Sequence, residues 1–164
     1  MSQLAVIATT AAVLAGVFGV LIGSFVNVVA YRVPAGISVV KPRSSCPRCG
    51  SPVRSFDNVP VLSWLILGGR CRDCREPIAI RYPLVEAGVG VAFGLVAWWR
   101  LPDLGVAAVV GGSAVAGELI VLIAFLYLAA ISVALTLIDL ETRTLPNVIV
   151  LPGYAVGGVL LAAA

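Results

Sequence analysis

Four cysteines and one aspartate hold the chemistry that can be read directly from this chain. Cys46-Pro47-Arg48-Cys49 and Cys71-Arg72-Asp73-Cys74 contain all four cysteines, with residues 50–70 between the pairs. A CxxC turn aims two thiolates at one point. Two such turns complete a tetrahedral set of soft donors, which suits Zn²⁺, and the spacing is close to that of zinc ribbons. Two disulfides or a redox CxxC are the alternatives. A closed Cys₄ set leaves no open coordination position, so such a metal folds its loop and does no chemistry itself. The chain has no histidine, which removes Ser-His-Asp, Cys-His and His-ligated catalytic metal mechanisms. Asp139 lies where an apolar run meets a polar turn that continues to Pro146-Asn147. The negative end of a helix dipole and partial desolvation would both push its carboxyl upward, toward the range an acid–base catalyst needs. The alternative is an interfacial acid that merely ends a helix.

The elements that must position these residues are membrane helices. Of the 164 residues 60% are hydrophobic and 12% charged, and the mean hydropathy is +1.08. The expected fold is an α-helical polytopic membrane protein of about four transmembrane helices, with a small zinc-bound cytoplasmic loop domain. Residues 4–30 carry no charge and span a bilayer with some tilt. No Lys or Arg precedes Arg32, so the positive n-region of a cleaved signal peptide is missing. Gly16, Gly19 and Gly23 allow close helix packing. Nine of the eleven Lys and Arg lie between Arg32 and Arg81, against Asp57, Asp73 and Glu76. The positive-inside rule makes that segment cytoplasmic and the N-terminus extracytoplasmic. The basic character is better explained by topogenesis beside anionic lipid than by nucleic acid, since no binding motif or interleaved aromatics accompany it.

Within the loop, Pro34, Pro42, Pro47, Pro52, Pro60 and Pro77 forbid a long helix, so short strands and turns are expected around the metal. A segment this short has almost no core, and metal binding must supply much of its folding free energy. Three further helical stretches follow. One runs from Pro83 to Trp99, interrupted by Glu86, with Trp98, Trp99 and Arg100 as an interfacial belt. Arg100 to Gly112 is a short outer connection or the start of the next helix, which runs from about Gly117 to Ile138. Val148 begins the last, in which Pro152, Gly153, Gly157 and Gly158 weaken a stretch of barely one span. Gly88-Val89-Gly90 lies in an apolar helix without a preceding strand and is no dinucleotide fingerprint.

Several ordered motifs resemble the type IV prepilin peptidases (prepilin leader peptidase/N-methyltransferase). They are residues 23–34 (GSFVNVVAYRVP), 58–65 (NVPVLSWL), 68–74 (GGRCRDC), 80–86 (IRYPLVE) and Asp139 with Pro146-Asn147. The resemblance covers almost the whole chain. It implies an integral-membrane aspartyl protease of the GxGD type in the bacterial cytoplasmic (inner) membrane. Such enzymes cleave a short basic leader from type IV prepilins and pseudopilins at the cytoplasmic face. Many then methylate the new N-terminus with S-adenosylmethionine, and the tetracysteine loop is associated with those members. Asp139 matches the first catalytic aspartate, and Asn147 stands where many relatives have Asp. Paired carboxylates share a proton, and the ionised one activates water. The second aspartate, in GxGD, is not found in these 164 residues; Glu141, two residues from Asp139, need not face it.

The resulting domain plan is a first transmembrane helix at 1–30, the Cys₄ loop at 31–82 and the N-terminal part of the peptidase domain at 83–164. The chain is expected to be a fragment, the alternative being a natural truncation, and to be unable to cleave a prepilin alone. Gly69, beside the third cysteine, would allow close backbone approach to the methyl donor, or would simply turn the chain into the metal knuckle. Competing functions are a non-catalytic zinc-stapled membrane module that binds pilin or secretion-machinery partners, and a methyltransferase without peptidase activity.

Overall fold

Uninterrupted apolar sequence, broken only at charged or glycine-rich joints, folds here into long helices. The computed structural model describes residues 3–163. Helix α1 spans Gln3–Arg32, α2 Leu62–Ile66, α3 Arg81–Val110, α4 Gly112–Thr142 and α5 Asn147–Ala163, with a 3₁₀ turn at Ser55–Asn58. α1, α3 and α4 are each long and apolar enough to cross a membrane; α5 is a shorter apolar helix of 17 residues. The protein is a helical polytopic membrane protein with a small loop domain between α1 and α3. Met1 and Ser2, the N-terminal residues expected outside the cytoplasm, lie outside the described residues.

α1 and α3 form the antiparallel pair on which the rest is built. Gly16 packs on the backbone of Gly90 and Gly94, Gly19 on Val89 and Phe93, and Gly23 on Val85 and Glu86. A Cβ on Gly23 would sit 2.7 Å from the Glu86 Cα. Bare backbone on backbone is what brings helices this close where lipid offers no hydrophobic drive to associate. α4 packs on α3 and α1, and α5 packs on α4. Between α3 and α4, Trp99 meets Phe125 edge-on at 5.3 Å.

Two features differ from the sequence reading. α3 does not end at the Trp98-Trp99-Arg100 belt. It continues through Pro102 to Val110, and α4 starts at Gly112. Arg100 pairs with Asp103 one turn on at 2.7 Å and with Glu118 across on α4, so the charges that looked like a helix end neutralise one another. The reversal takes one residue, Gly111, at φ 140°, a conformation that favours glycine. In the loop domain, no strand forms among the described residues. Two isolated bridges stand in for them, Ser45 with Pro52 and Arg70 with Pro77. Each contains a proline, which has no N–H to extend the ladder.

Candidate functional site

The two CxxC segments fold into the same knuckle twice. In the first, the Cys46 N–H donates to the Ser51 carbonyl, the Gly50 N–H to the Cys46 carbonyl, and the Val53 N–H to the Ser44 carbonyl. In the second, Cys71 donates to Glu76, Arg75 to Cys71, and Ile78 to Gly69. Every donor and acceptor of the first knuckle recurs at a constant offset in the second. Gly50 and Arg75 occupy the same place, with φ 73° and 60°. Such turns leave successive N–H groups facing the sulfurs. Ser51 donates to Cys49 by hydroxyl and amide, and the Glu76 amide donates to Cys74.

The knuckles bring all four Sγ atoms within 4.8 Å of one another. Cys46 Sγ lies 3.7 Å from Cys74 Sγ, close to the roughly 3.8 Å edge of a tetrahedron with sulfur–zinc bonds of about 2.3 Å. The cysteines are free thiols and only partly covered. Their protonation fits a cation. The Ser51 hydroxyl and amide hold Cys49 down at about 6, and the Cys74 and Asp73 amides lower Cys71. The Glu76 amide pulls Cys74 the same way, but desolvation and hydrogen bonds from the other three thiols outweigh it and push Cys74 up to about 12. Four thiols this close cannot all ionise unaided, and a divalent ion removes that cost. The four cysteines are positioned to bind a metal ion.

Ion pairs clamp the knuckles to the segment between them. Arg72 grips Asp57 with two bonds, Nε to Oδ2 at 2.7 Å and a terminal nitrogen to Oδ1 at 2.5 Å, and lies over the Phe56 ring at 5.4 Å. The Arg72 hydrogen bonds, with its charge and that of Arg54, hold the Asp57 carboxyl below its usual range against some desolvation. Arg54 reaches Asp73 at 3.2 Å. Gly69 serves the second knuckle. Its N–H donates to the Trp64 carbonyl and its carbonyl accepts from Ile78. A Cβ there would lie 2.7 Å from the Trp64 ring, which is itself fixed by an indole N–H to the Ile78 carbonyl at 3.0 Å. Both backbone groups and the open side of Gly69 are thus occupied by the domain.

Glu86, which interrupts an apolar run in the sequence, ties the domain to the helices. Glu86, 8% exposed on α3, accepts the Val61 N–H at 2.7 Å. Val61 has φ 60° and ψ −53°, and the Leu62 N–H turns back to the Pro60 carbonyl at 2.6 Å. This is a γ-turn centred on a β-branched residue, a strained arrangement costing about 1–3 kcal/mol. Ser63 supports it, its Oγ accepting from the Val59 N–H and donating to the Phe56 carbonyl. One turn nearer the loop, buried Asn27 on α1 donates to the Tyr82 carbonyl at 3.2 Å. The only signal in the sequence was an acid inside an apolar run.

Asp139 sits in the last turn of α4 and its carbonyl accepts the Arg143 N–H at 2.8 Å. Arg143 closes the helix in a left-handed conformation. The aspartate is exposed on the helical bundle, whereas the preceding Ile138 is fully buried. Glu141 turns to Arg81 at the start of α3 and forms an ion pair with it. The end of α4 and the base of the loop domain are thereby joined, which puts Asp139 and the tetracysteine domain at the same end of the bundle.

A bundle of apolar helices with a tetracysteine knuckle domain inserted after its first helix defines the class. The model of the Bacterial Peptidase A24 N-terminal domain matches residues 17–100, and the chain belongs to that family. Among curated proteins, it is 38% identical over 179 residues to a prepilin leader peptidase/N-methyltransferase of Neisseria gonorrhoeae, covering 93% of this chain and 56% of that protein. It is 54% identical over 77 residues to one of Myxococcus xanthus, covering 47% of this chain and 23% of that protein. It is 40% identical over 154 residues to a type 4 prepilin-like proteins leader peptide-processing enzyme of Escherichia coli, covering 83% and 51%. Apart from the shorter Myxococcus match, the chain spans about half the length of these relatives. No solved structure matches.

Proposed function

We propose that this chain is the N-terminal half of a bacterial inner-membrane enzyme that removes the leader from type IV prepilins or pseudopilins and methylates the new N-terminus with S-adenosylmethionine. The observation that carries the reading is the family membership, together with four cysteine sulfurs within 4.8 Å of one another at the same end of the bundle as Asp139. The relatives from Neisseria gonorrhoeae and Myxococcus xanthus carry the name prepilin leader peptidase/N-methyltransferase, and that from Escherichia coli is named a leader peptide-processing enzyme.

In this reading the 31–82 loop is a cytoplasmic zinc domain, with Zn²⁺ held structurally by Cys46, Cys49, Cys71 and Cys74. The excess of Lys and Arg in the loop supports that sidedness. Asp139 supplies one carboxylate of a catalytic pair. Its exposure at the membrane boundary suits a residue that must meet a peptide and a water. One carboxylate of the pair acts as base toward water and the other as acid toward the scissile carbonyl, so Asp139 alone is half of the machinery. The test uses the full-length protein. Asp139→Asn should abolish cleavage of a prepilin in detergent while leaving membrane insertion and zinc content unchanged. Normal cleavage by Asp139→Asn would remove the aspartyl-protease reading of this residue.

A further inference from the structure

The short helix α2 turns its apolar face away from its own domain. Leu62, Leu65 and Ile66 are 56%, 60% and 80% exposed. They stand at i, i+3 and i+4, one stripe of a helix. The opposite face is engaged inside the domain: Ser63 is buried and Trp64 is bonded to the Ile78 carbonyl. A soluble domain gains nothing from such a stripe in water.

The depth of α2 is fixed by the bond that starts it. Val61, its N-cap, donates to Glu86, and Glu86 packs against Gly23 of α1. From Gly23, α1 continues nine residues to Arg32, its first charge on that side. At about 1.5 Å per residue the Gly23–Glu86 level lies roughly 13 Å inside the level of Arg32 on α1 and roughly 7.5 Å inside that of Arg81 on α3. A glutamate side chain leans toward the helix N-terminus, here back toward the loop, and recovers only part of that depth. The headgroup layer is only about 5–7 Å thick on each side. Flanking Gly23, Leu21 and Phe25 are exposed and apolar, so this depth faces acyl chains. The other end of α3 agrees. Glu86 and Arg100 are fourteen residues apart, roughly 21 Å of helix, well short of an apolar core about 30 Å thick.

We infer that α2 is an interfacial helix. The stripe Leu62, Leu65 and Ile66 lies in the bilayer at the boundary between headgroups and acyl chains, and its occupant is the lipid of the membrane that α1 and α3 cross. The strained turn at Val61 and the buried Glu86 hold the helix there, and the metal knuckles are carried on its outer side. The inference depends on the chain being a membrane protein and not on which reaction it catalyses.

The test is a double footprint of the full-length protein in phosphatidylcholine nanodiscs. A phospholipid carrying a diazirine high on its acyl chain is photolysed, and adducts are mapped by mass spectrometry; hydroxyl-radical oxidation maps water. The expected result is lipid adducts on the Leu62–Ile66 segment comparable with those on Leu21–Phe25, low oxidation there, and the reverse on the Lys41–Cys49 segment. The double variant Leu65→Glu with Ile66→Glu should lose the adducts and gain oxidation, with metal content unchanged as the measure of an intact domain. Oxidation of wild-type Leu62–Ile66 by hydroxyl radical, without lipid adducts, would overturn the inference. So would protection from both probes, which would mean that protein covers the stripe.

Discussion

The loop domain and the α1–α3 pair solve the same problem in opposite ways. The pair is held by what its residues lack. Gly16, Gly19 and Gly23 have no side chains, and the helices close on bare backbone. The loop domain is held by what a few of its residues present: four sulfurs within 4.8 Å, two ion pairs and a repeated set of knuckle bonds. Its large apolar side chains are mostly exposed, Phe56, Leu62, Leu65 and Ile66 among them. One region should therefore fail when atoms are added, and the other when a ligand or a bond is removed. Glu86 is where they meet.

The largest effect should come from the tetracysteine site and the metal proposed for it. Chelation, or Cys71→Ser, should unfold residues 44–78 at a cost on the order of 10 kcal/mol, as for small structural zinc domains. The α1–α3 pair should persist. Metal analysis combined with amide exchange over both regions reads this directly. Simultaneous loss of protection in α1 and α3 would show that the two regions form one cooperative unit. Conversely, Gly23→Ala places a methyl against the Glu86 backbone, which cannot move aside as a side chain would. About 3 kcal/mol of helix pairing should be lost, seen in denaturant titration in mixed micelles, with metal content retained. A Gly23→Ala protein as stable as wild type would mean that the pair is not closed on bare backbone.

These two solutions differ in how legibly they are written in the sequence. The cysteines announced themselves because a tetrahedral metal site needs particular atoms at particular spacings. The helices did so because a bilayer demands long uncharged runs, and the glycines because close packing demands absent side chains. What the sequence hid depends on partners distant in the chain. Arg100 read as the end of a helix, but it pairs with Asp103 and Glu118 and α3 runs on to Val110. Short strands were expected among the prolines, but Pro52 and Pro77 sit in the bridges themselves and limit each to one pair. α2 could not be read, since five residues carry little periodicity and its anchor is a backbone N–H bonded 25 positions away.

Glu86 makes the comparison sharper at the next smaller scale. Glu86→Ala leaves the Val61 N–H without its acceptor, and the strained turn can relax. The expected cost is about 1–3 kcal/mol, expressed locally as faster exchange at Val61 and Leu62 and not as loss of metal. Glu86→Gln keeps a carbonyl oxygen in reach and should restore most of the protection. If Glu86→Ala changes neither amide, the domain is seated on the helices by other contacts.

The smallest effect concerns the left-handed position of the two knuckles, where one has Gly50 and the other Arg75. Gly50 and Arg75 both adopt a left-handed conformation and make the same bond back to the first cysteine of their pair. For glycine that conformation is free of steric cost, whereas a side chain at Arg75 pays roughly 1 kcal/mol for it. Arg75→Gly removes that strain but gives the unfolded chain more freedom, worth about 0.5 kcal/mol in the other direction. The net should be a gain of about 0.5 kcal/mol in the metal-bound domain. Gly50→Ala introduces the strain that Arg75 already bears and should lose about 1 kcal/mol. Chelator competition on the two variants measures both signs against the same wild-type domain. Opposite signs would mean that the left-handed position carries a similar backbone strain in both knuckles. A loss from Arg75→Gly would show instead that the arginine side chain makes a contribution larger than the strain of its backbone.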